Sequence, residues 1–350
     1  MSRIVPATLR LLGLGAAGFV LAGCGRAPAT ADTTAGKSAL LPVGFQLDWY
    51  PAPEHGGHFQ ALVKGYYRDG GLDVTIAPGG PSSFPVEKIS TGRMQFGIGR
   101  ADDVIMAVRQ GLPLLIVCAQ MQHDPQAIMV HADSPVKTFG DLDGRSVMAG
   151  VGSNWISFIQ QRYHVKFNIL PMDFTMTRFI ADRNFIQQCF ISNEPFFAEL
   201  HGVKTRALLI ADSGYDPYRV IFTSKAFARE HPEAVRAFVA ATIHGWDDYL
   251  NGDATAARAR IHAENPSQSA ELMDYSIAAM KRAKLVAGDP AKGERTGLLT
   301  TQRLNSMQRT MVYLNIIEAP LPLEKFVTFR FLPAEFNASP AAPTSPAPKL

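Results

Sequence analysis

The strongest constraint on the fold is an alternation of two apolar patterns between residues 43 and 119. Short apolar runs that suit buried strands are separated by longer stretches with helical spacing, and glycines such as Gly70 and Gly92 stand where those helices would end. The predicted strands are 43–49, 72–77, 96–99 and 114–119, and helices are predicted over 57–69, from a cap at Ser83 to Gly92, and from a cap at Asp102 or Asp103 to Gly111. Repeated strand–helix units favour an α/β fold with a largely parallel sheet and helices on both faces.

A second alternating region extends from about residue 128 to residue 211. After the apolar run at 220–224 the pattern becomes helical, with helices predicted over 225–230, 232–250, 253–263, 267–284 and 300–316. The chain has 350 residues, of which 47% are hydrophobic, so it can bury the cores of two lobes of ordinary size.

The first predicted strand runs into a loop at residues 46–55 that collects polar and aromatic side chains. Two prolines in this loop lack the N–H that a strand ladder needs, so the strand cannot continue through it. In open α/β sheets, ligands bind at the carboxyl ends of the strands, beside the N-terminus of the next helix. We therefore expect the loop to form the centre of a small-molecule site, with Trp49 as an apolar wall and Asp48 and His55 as polar partners.

Two motifs in this region resemble a known family. They are Trp-x-Pro-x-Pro-x-His at 49–55 and Gly-Tyr-Tyr-Arg-Asp-Gly-Gly-Leu-Asp-Val at 65–74. They are similar to the start of the periplasmic binding-protein-like family that includes thiamine-pyrimidine precursor binders and the pyrimidine synthases of thiamine biosynthesis. Ser-Pro-x-Lys-Thr at 134–138 is similar to the segment that opens the second lobe in these proteins. The resemblance extends from about residue 43 to about residue 265.

The resemblance implies a two-lobed, type 2 periplasmic binding protein-like fold with a hinge. The chain would cross between the lobes near residues 126–132 and 219–224, and two crossings make a hinge. The first lobe would comprise residues 41–127 plus 224–336, and the second lobe residues 128–223. The late helices would pack on the first lobe.

A cleft between such lobes would be lined by loops at strand ends. A heteroaromatic ring could stack between Trp49 and either Trp155 or Phe84, and the carboxylates of Asp48 and Glu194 could accept hydrogen bonds from amino or ring N–H groups. The candidate ligand-binding residues are Asp48, Trp49, His55, Ser83, Phe84, Asp102, Asn154, Trp155, Glu194 and Tyr215.

Several of these residues have a structural alternative. Ser83 suits a helix cap as well as a ligand contact. Glu194 would be favoured by the helix dipole in a first turn, although Asn-Glu-Pro at 193–195 resembles the ligand-facing motif of the family. Arg100 fits either an anionic ligand or an ion pair. Glu54, His55 and His58 have ligand-type side chains, but glycines at 56 and 57 argue against helical spacing, so neither a metal nor a cofactor is predicted.

The N-terminus has the form of an export signal. Arg3 and Arg10 precede an apolar run at 11–21 that is too short for a confident membrane span. Leu-Ala-Gly-Cys at 21–24 resembles the bacterial lipobox, which implies a signal peptide over 1–23 and a diacylglyceryl anchor on Cys24. Residues 24–40 would then be a tether, and the Pro-, Ala- and Ser-rich tail at 337–350 is predicted to be disordered.

Cysteine count and charge exclude other classes. With Cys24 lipidated, Cys118 and Cys189 remain, and both lie in apolar stretches that favour buried free thiols over a disulfide. The formal net charge of +3 gives no indication of the clustered basic face that a nucleic-acid binder needs.

Three functional hypotheses follow. The first is a monomeric solute-binding lipoprotein of an ABC importer that delivers a small heteroaromatic molecule to a membrane permease; a thiamine pyrimidine precursor is the leading ligand, riboflavin the next, and a sulfonate or other small anion the third. The second is a pyrimidine synthase, which the export signal and the lack of any cysteine after Cys189 disfavour, because such synthases carry a cysteine-rich run. The third is a structural lipoprotein without a ligand.

The lipobox generates a direct prediction. Cys24→Ser removes the sulfur that would carry the acyl chains, so we expect the protein to move from the membrane fraction to the soluble fraction. Fractionation followed by immunoblotting measures this, with Cys118→Ser as the control that keeps the anchor. Continued membrane association of the Cys24 variant would contradict the prediction.

Overall fold

The computed structural model describes residues 39–336, which contain two five-stranded sheets. The signal peptide, the Cys24 anchor, nearly all of the tether and the tail at 337–350 lie outside the described residues. The strands are β1 Leu41–Gln46, β2 Leu72–Ala77, β3 Phe96–Arg100, β4 Leu114–Met121, β5 Gln126–His131, β6 Ser146–Ala149, β7 Asn168–Pro171, β8 Gln187–Phe190, β9 Thr205–Leu209 and β10 Arg219–Ser224.

The first sheet has the strand order β2-β1-β3-β10-β4. Its strands β1 to β4 run in one direction, as repeated strand–helix units require. Strand β10 is antiparallel to both of its neighbours, β3 and β4. The predicted parallel arrangement is therefore correct for four strands, and the returning strand makes the sheet mixed.

The second sheet repeats this arrangement, with the order β7-β6-β8-β5-β9 and β5 antiparallel to β8 and β9. The chain passes between the sheets at residues 122–125 and 214–218. Both passages come a few residues before the predicted ones, because 126–131 and 219–224 are already strands within a sheet. In each sheet the reversed strand is the first one after a passage. The boundaries of the two lobes stay a prediction.

Twelve helices surround the sheets of the described region, and none of them combines the length and apolar character needed to cross a bilayer. The helices are α1 Gly56–Val63, α2 Tyr66–Asp69, α3 Pro85–Ser90, α4 Ala101–Arg109, α5 Asn154–Tyr163, α6 Thr177–Ala181, α7 Glu194–Leu200, α8 Lys225–Glu230, α9 Pro232–Asn251, α10 Thr255–Glu264, α11 Ala270–Arg282 and α12 Thr301–Tyr313. The five late helices, α8 to α12, agree with the predicted ones to within a few residues.

Three local predictions need correction. The helix predicted over 57–69 is two helices, because Gly65 between them adopts a left-handed conformation with φ of 82°. Ser83 does not cap α3; Phe84 occupies the N-cap position and no side chain caps the helix. Asp102 and Asp103 lie inside the first turn of α4, after Arg100 at its N-cap, so neither residue is the cap.

Side-chain alternation decides which faces are buried. In β2, Leu72 and Val74 are buried while Asp73 between them is exposed, the period-two pattern of a strand with one wet face. Strand β5 is buried on both sides: Ile128 belongs to the main apolar cluster and Met129 to a smaller one on the opposite face. Cys118 in β4 and Cys189 in β8 are buried and free, which confirms the prediction for both thiols.

Helix α9 approaches α1 closely enough that its contact point requires glycine. A Cβ atom added to Gly245 would lie 2.2 Å from the carbonyl oxygen of Gly57 and 2.8 Å from the Cβ of Ala61. Because α1 directly follows the loop at 46–55, this contact holds one end of that loop in place.

Gly245→Ala tests this packing. Alanine normally stabilises a helix interior by about 0.5–1 kcal/mol relative to glycine. Here we expect the free energy of unfolding to fall by about 1–3 kcal/mol, because the helices are forced apart. Urea denaturation measures the change, and Ala240→Ser, at an exposed position of α9, should stay within about 0.5 kcal/mol of the parent. An unchanged or more stable Gly245 variant would show that the helices are not tightly packed.

Candidate ligand-binding site

A cavity of about 900 Å³ opens at the carboxyl ends of strands from both sheets. The first sheet contributes the loops after β1 and β2 and the junction of β3 with α4, and the second sheet contributes the loops after β7 and β8. Another wall comes from residues 265–268, between α10 and α11. This is the usual position of a ligand in open α/β sheets, and it includes the loop at 46–55.

The two reversed strands reach the same edge with their amino ends. Arg219, the first residue of β10, is in register with Arg100, the last residue of β3. In the second sheet, Gln126 at the start of β5 is in register with Phe190 at the end of β8. All four residues line the cavity. Strand reversal thereby places the buried cation of Arg219 in the cavity wall.

Arg219 forms a charged cluster with Asp48 and His55. Its guanidinium makes an ion pair with Asp48 Oδ2 and lies 4.0 Å from Asp124 Oδ2. Asp48 Oδ1 lies 3.1 Å from His55 Nε2. Burial by itself would raise the pKa of Asp48, but the Arg219 guanidinium and His55 outweigh burial and hold that pKa well below its usual range. Asp48 is therefore ionised at neutral pH and offsets the charge of Arg219.

Two other carboxyl groups in the wall, Glu54 and Glu194, have no ion pair with a cation among the described residues. The Glu54 carboxyl is hydrogen-bonded to the Ser192 hydroxyl, and Glu194 Oε2 accepts a hydrogen bond of 2.7 Å from the backbone N–H of Phe190. Burial raises the pKa of Glu54, although the Ser192 hydrogen bond opposes this. Burial also raises the pKa of Glu194 to about 7, against the opposing hydrogen bond from Phe190 and with a further contribution from the nearby Glu54. Both groups can accept hydrogen bonds from a ligand.

Arg100 is also paired with carboxylates. Its Nε atom lies 3.2 Å from Asp103 Oδ2 and 3.7 Å from Asp102 Oδ1. Of the two readings of Arg100, the structure favours the ion pair. The basic side chains of the cavity wall are Arg100, Arg219 and His55. Each of the three has a carboxylate partner.

Four aromatic side chains of the wall are also exposed to solvent, and so they lie at the cavity mouth. Trp49 and Tyr50 come from the first sheet's loops, with ring centroids 5.5 Å apart. Phe84 and Phe174 have positive φ angles of 45° and 58°. Left-handed backbone is rare for bulky residues and tends to occur at functional sites. The mouth therefore offers planar apolar surface to a ligand.

Six of the ten predicted ligand-binding residues line the cavity: Asp48, Trp49, His55, Ser83, Phe84 and Glu194. Ser83 has a positioning contact, since its hydroxyl donates to the Asp48 carbonyl oxygen at 3.2 Å. The loops after β1 and β2 approach closely, because a Cβ on Gly79 would lie 2.4 Å from the Trp49 backbone nitrogen. Contact of these six residues with a ligand stays a prediction.

The other four predicted residues, Asp102, Asn154, Trp155 and Tyr215, do not line the cavity. The buried Asp102 carboxylate accepts hydrogen bonds from Asn154 Nδ2 at 2.7 Å and from the Tyr215 hydroxyl. Trp155, 1% exposed, points from α5 into the apolar core, so the predicted stacking of a ring between Trp49 and Trp155 is corrected. The sequence did not indicate which way the first turn of α5 faces.

The wall also contains residues that were not predicted as ligand contacts, among them Glu54, Phe174 and Arg219. Arg219 had a usable signal, because a charged residue at the start of the apolar run 220–222 must find a partner when the strand is buried. Glu54 stands beside His55 in the loop predicted to line the cleft, but its pattern with His55 and His58 suggested a metal ligand rather than a ligand contact. Phe174 lies in a short mixed stretch of polar and apolar residues, without a recognisable pattern.

The side chains of Glu54, His55 and His58 do not converge on one point. His55 contacts Asp48, Glu54 contacts Ser192, and His58 Nδ1 lies 3.4 Å from the Tyr67 hydroxyl in the core. Within residues 39–336, no group of three or more His, Cys, Asp or Glu side chains is arranged to hold a metal ion.

Residues 52–256 match the family model described as NMT1/THI5 like. The riboflavin-binding protein RibY of Chloroflexus aurantiacus is 24% identical over 234 residues, which cover 64% of this chain and 67% of that protein. The formylaminopyrimidine-binding protein of Halalkalibacterium halodurans is 30% identical over 117 residues, which cover 33% of this chain and 35% of that protein. A 4-amino-5-hydroxymethyl-2-methylpyrimidine phosphate synthase of Saccharomyces cerevisiae is 27% identical over 140 residues, 39% of this chain and 40% of the synthase.

Solved structures share the fold at low sequence identity. The alkanesulfonate-binding protein SsuA of Xanthomonas axonopodis pv. citri, bound to MOPS, superposes with a TM-score of 0.60 and 15% identity, covering 83% of this chain and 98% of that one. A ligand-binding component of an ABC-type import system from Staphylococcus aureus gives a TM-score of 0.60 and 12% identity, covering 86% of this chain and all of that one. The α/β fold with two mixed sheets is thus type 2 periplasmic binding protein-like, as the sequence predicted.

The raised pKa of Glu194 predicts a pH dependence of stability. The folded state binds the Glu194 proton up to pH about 7, whereas the unfolded chain releases it near pH 4.5, so this residue makes stability fall as pH rises between these values. We expect Glu194→Gln to remove that contribution, so its stability relative to the parent should increase with pH across this window. Denaturant unfolding at several pH values measures it.

Glu199→Gln provides the matched control, since Glu199 is an exposed carboxylate of the same helix, α7. Parallel pH profiles of the Glu194 variant and the parent would contradict the burial of that carboxyl group.

Proposed function

Because the chain belongs to the NMT1/THI5-like family, we propose that it is the solute-binding component of an ABC-type importer and binds a small heteroaromatic molecule in the cavity. The observation that carries this proposal is the chemistry of the cavity wall. It combines exposed aromatic rings with two carboxyl groups that lack a cation partner, while its arginines are already paired. Apolar pockets with a few placed polar groups are the normal form of ligand sites.

The charge balance favours a ligand with hydrogen-bond donors over an anion. A sulfonate would have to compete with Asp48 for Arg219 or with Asp103 for Arg100, and it would lie near the carboxyl groups of Glu54 and Glu194. An amino group or ring N–H instead gains an acceptor from each of these carboxyl groups, whether ionised or protonated, without displacing an ion pair.

Among heteroaromatic ligands, a pyrimidine of the thiamine precursor type is our leading candidate and a flavin the second. Relatives named as formylaminopyrimidine-binding and riboflavin-binding support these two classes. The cavity of about 900 Å³ is large enough for either. Trp49, Tyr50 and Phe84 supply the planar surface on which such a ring would pack.

Transport requires that the ligand be held and then released. We propose that the two predicted lobes move against each other about the passages at 122–125 and 214–218, which would act as a hinge, so that β5 moves with the second sheet and β10 with the first. A lipid on Cys24 would keep a monomer at the membrane surface of the cell envelope, facing the periplasm or exterior, near its permease.

We propose binding in preference to catalysis. In the synthase-like alternative, His55 would be consumed as a substrate. Here His55 is 3% exposed and its Nε2 is engaged with the ionised Asp48 carboxylate. The cysteine-rich run expected of the synthases is also missing, since no cysteine follows Cys189.

A thermal-shift screen of the protein starting at Gly25 tests the function. The panel comprises pyrimidine precursors, thiamine, riboflavin, taurine, an alkanesulfonate and nitrate. A ligand at 100 times its dissociation constant adds about 2.7 kcal/mol to the free energy of unfolding, and we expect a shift with a ring compound. A thermal shift with a sulfonate alone would contradict the charge argument. The absence of a shift with every compound of the panel would contradict the proposed ligand class.

Calorimetry with the compound found in the screen then localises the site. We expect Trp49→Ala to weaken binding by about 1–3 kcal/mol, because it removes an aromatic anchor. Trp155→Phe is the matched control, since Trp155 is buried outside the cavity and its replacement should leave the affinity unchanged.

A further inference from the structure

The loop between β7 and α6 carries Phe174 in an unusual setting. Its φ of 58° is left-handed, a conformation that a bulky residue adopts only when its surroundings enforce it. Asp173 Oδ1 accepts hydrogen bonds from the backbone N–H of Thr175 at 2.9 Å and from its hydroxyl at 3.0 Å, which fixes the turn around Phe174. The phenyl ring is 61% exposed, so packing within the second sheet does not explain its position.

The ring of Phe174 contacts the ring of Trp49, which lies on the opposite side of the cavity. Its centroid lies 5.3 Å from that of Trp49, at an interplanar angle of 36°. Trp49 follows β1 of the first sheet, whereas Phe174 follows β7 of the second, and both line the cavity while remaining exposed to solvent. The pair therefore bridges the mouth between the two sheets.

We propose that Trp49 and Phe174 form an aromatic gate that must part for a ligand to enter or leave the cavity. The proposal deepens the proposed function and rests on it for the ligand, a planar heteroaromatic ring. It assigns Phe174 a kinetic role that is separate from holding the ligand.

The distance between the two rings distinguishes a gate from a pair of rings that would hold a ligand stacked between them. A ring inserted between two others requires the outer rings to be roughly 7 Å apart, because each contact between carbon atoms takes about 3.5 Å. At 5.3 Å, Trp49 and Phe174 contact each other and leave no space for a third ring. On this proposal a bound ring lies behind the pair, which must part before the ring can leave.

Tryptophan quenching in the ligand-free protein tests the contact. The chain has three tryptophans, of which Trp155 and Trp246 are buried and Trp49 is 37% exposed, so acrylamide quenching reports mainly on Trp49. Phe174→Ala should raise the quenching constant, and Phe174→Asn, which tolerates left-handed backbone, should do the same if the ring rather than the turn is responsible.

Phe84→Ala is the matched control. Phe84 is also exposed at the mouth with a positive φ, but it has no ring contact with another aromatic residue within residues 39–336. Its replacement should leave the quenching constant unchanged. Unchanged quenching in the Phe174 variants, or an equal rise in the Phe84 variant, would overturn the gate.

Stopped-flow kinetics with the ring compound that gives the largest thermal shift tests the gating itself. Removing a gate speeds entry and exit together, so we expect Phe174→Ala to raise both the association and the dissociation rate, the latter by about ten-fold, with a smaller change in affinity. Faster dissociation with unchanged association would make Phe174 a binding contact and overturn the gate.

The two proposals fail in different ways. A parent protein that binds no compound of the panel contradicts the proposed function. A parent that binds, together with Phe174→Ala kinetics equal to those of the parent, contradicts the gate alone.

Discussion

The ion pair between Arg219 and Asp48 is the interaction on which the candidate site depends. A guanidinium buried at the start of β10 would be strongly destabilising without a counter-charge, and Asp48 supplies it from the loop after β1. Because Asp48 also holds His55 through its other oxygen, the cluster ties the returning strand to the loop that carries Trp49. The loop is thus positioned by charge, while β1 itself ends at Gln46, before the first proline of the loop.

That pairing also determines the electrostatic character of the cavity. Arg219 and Arg100 are paired with aspartates, whereas the Glu54 and Glu194 carboxyl groups of the wall have no ion pair among the described residues. On the proposed function, the ligand class follows from the pairing of a few side chains at strand ends, which the fold shared with sulfonate-binding proteins leaves free to vary.

Local sequence signals predicted the regular elements well and the special positions poorly. The strands of the first sheet and the helices after Ser224 follow from apolar periodicity and from glycine and proline, because these act over a few neighbouring residues. The caps at Ser83 and Asp102 were wrong, since tertiary contacts gave both side chains other partners: the Asp48 carbonyl for Ser83, and Asn154 with Tyr215 for Asp102. Gly65 broke a helix that the pattern made continuous.

The sequence by itself determined the α/β class, the loop that ends at His55 and six of the residues that line the cavity, because strand ends, prolines and alternating faces are properties of short segments. Only the tertiary structure decided that Arg219 faces Asp48, that Trp155 lies in the core and that Phe174 meets Trp49. These pairs join residues far apart in the chain. Their contacts depend on the register of reversed strands and on how the two sheets face each other, and no local pattern encodes either.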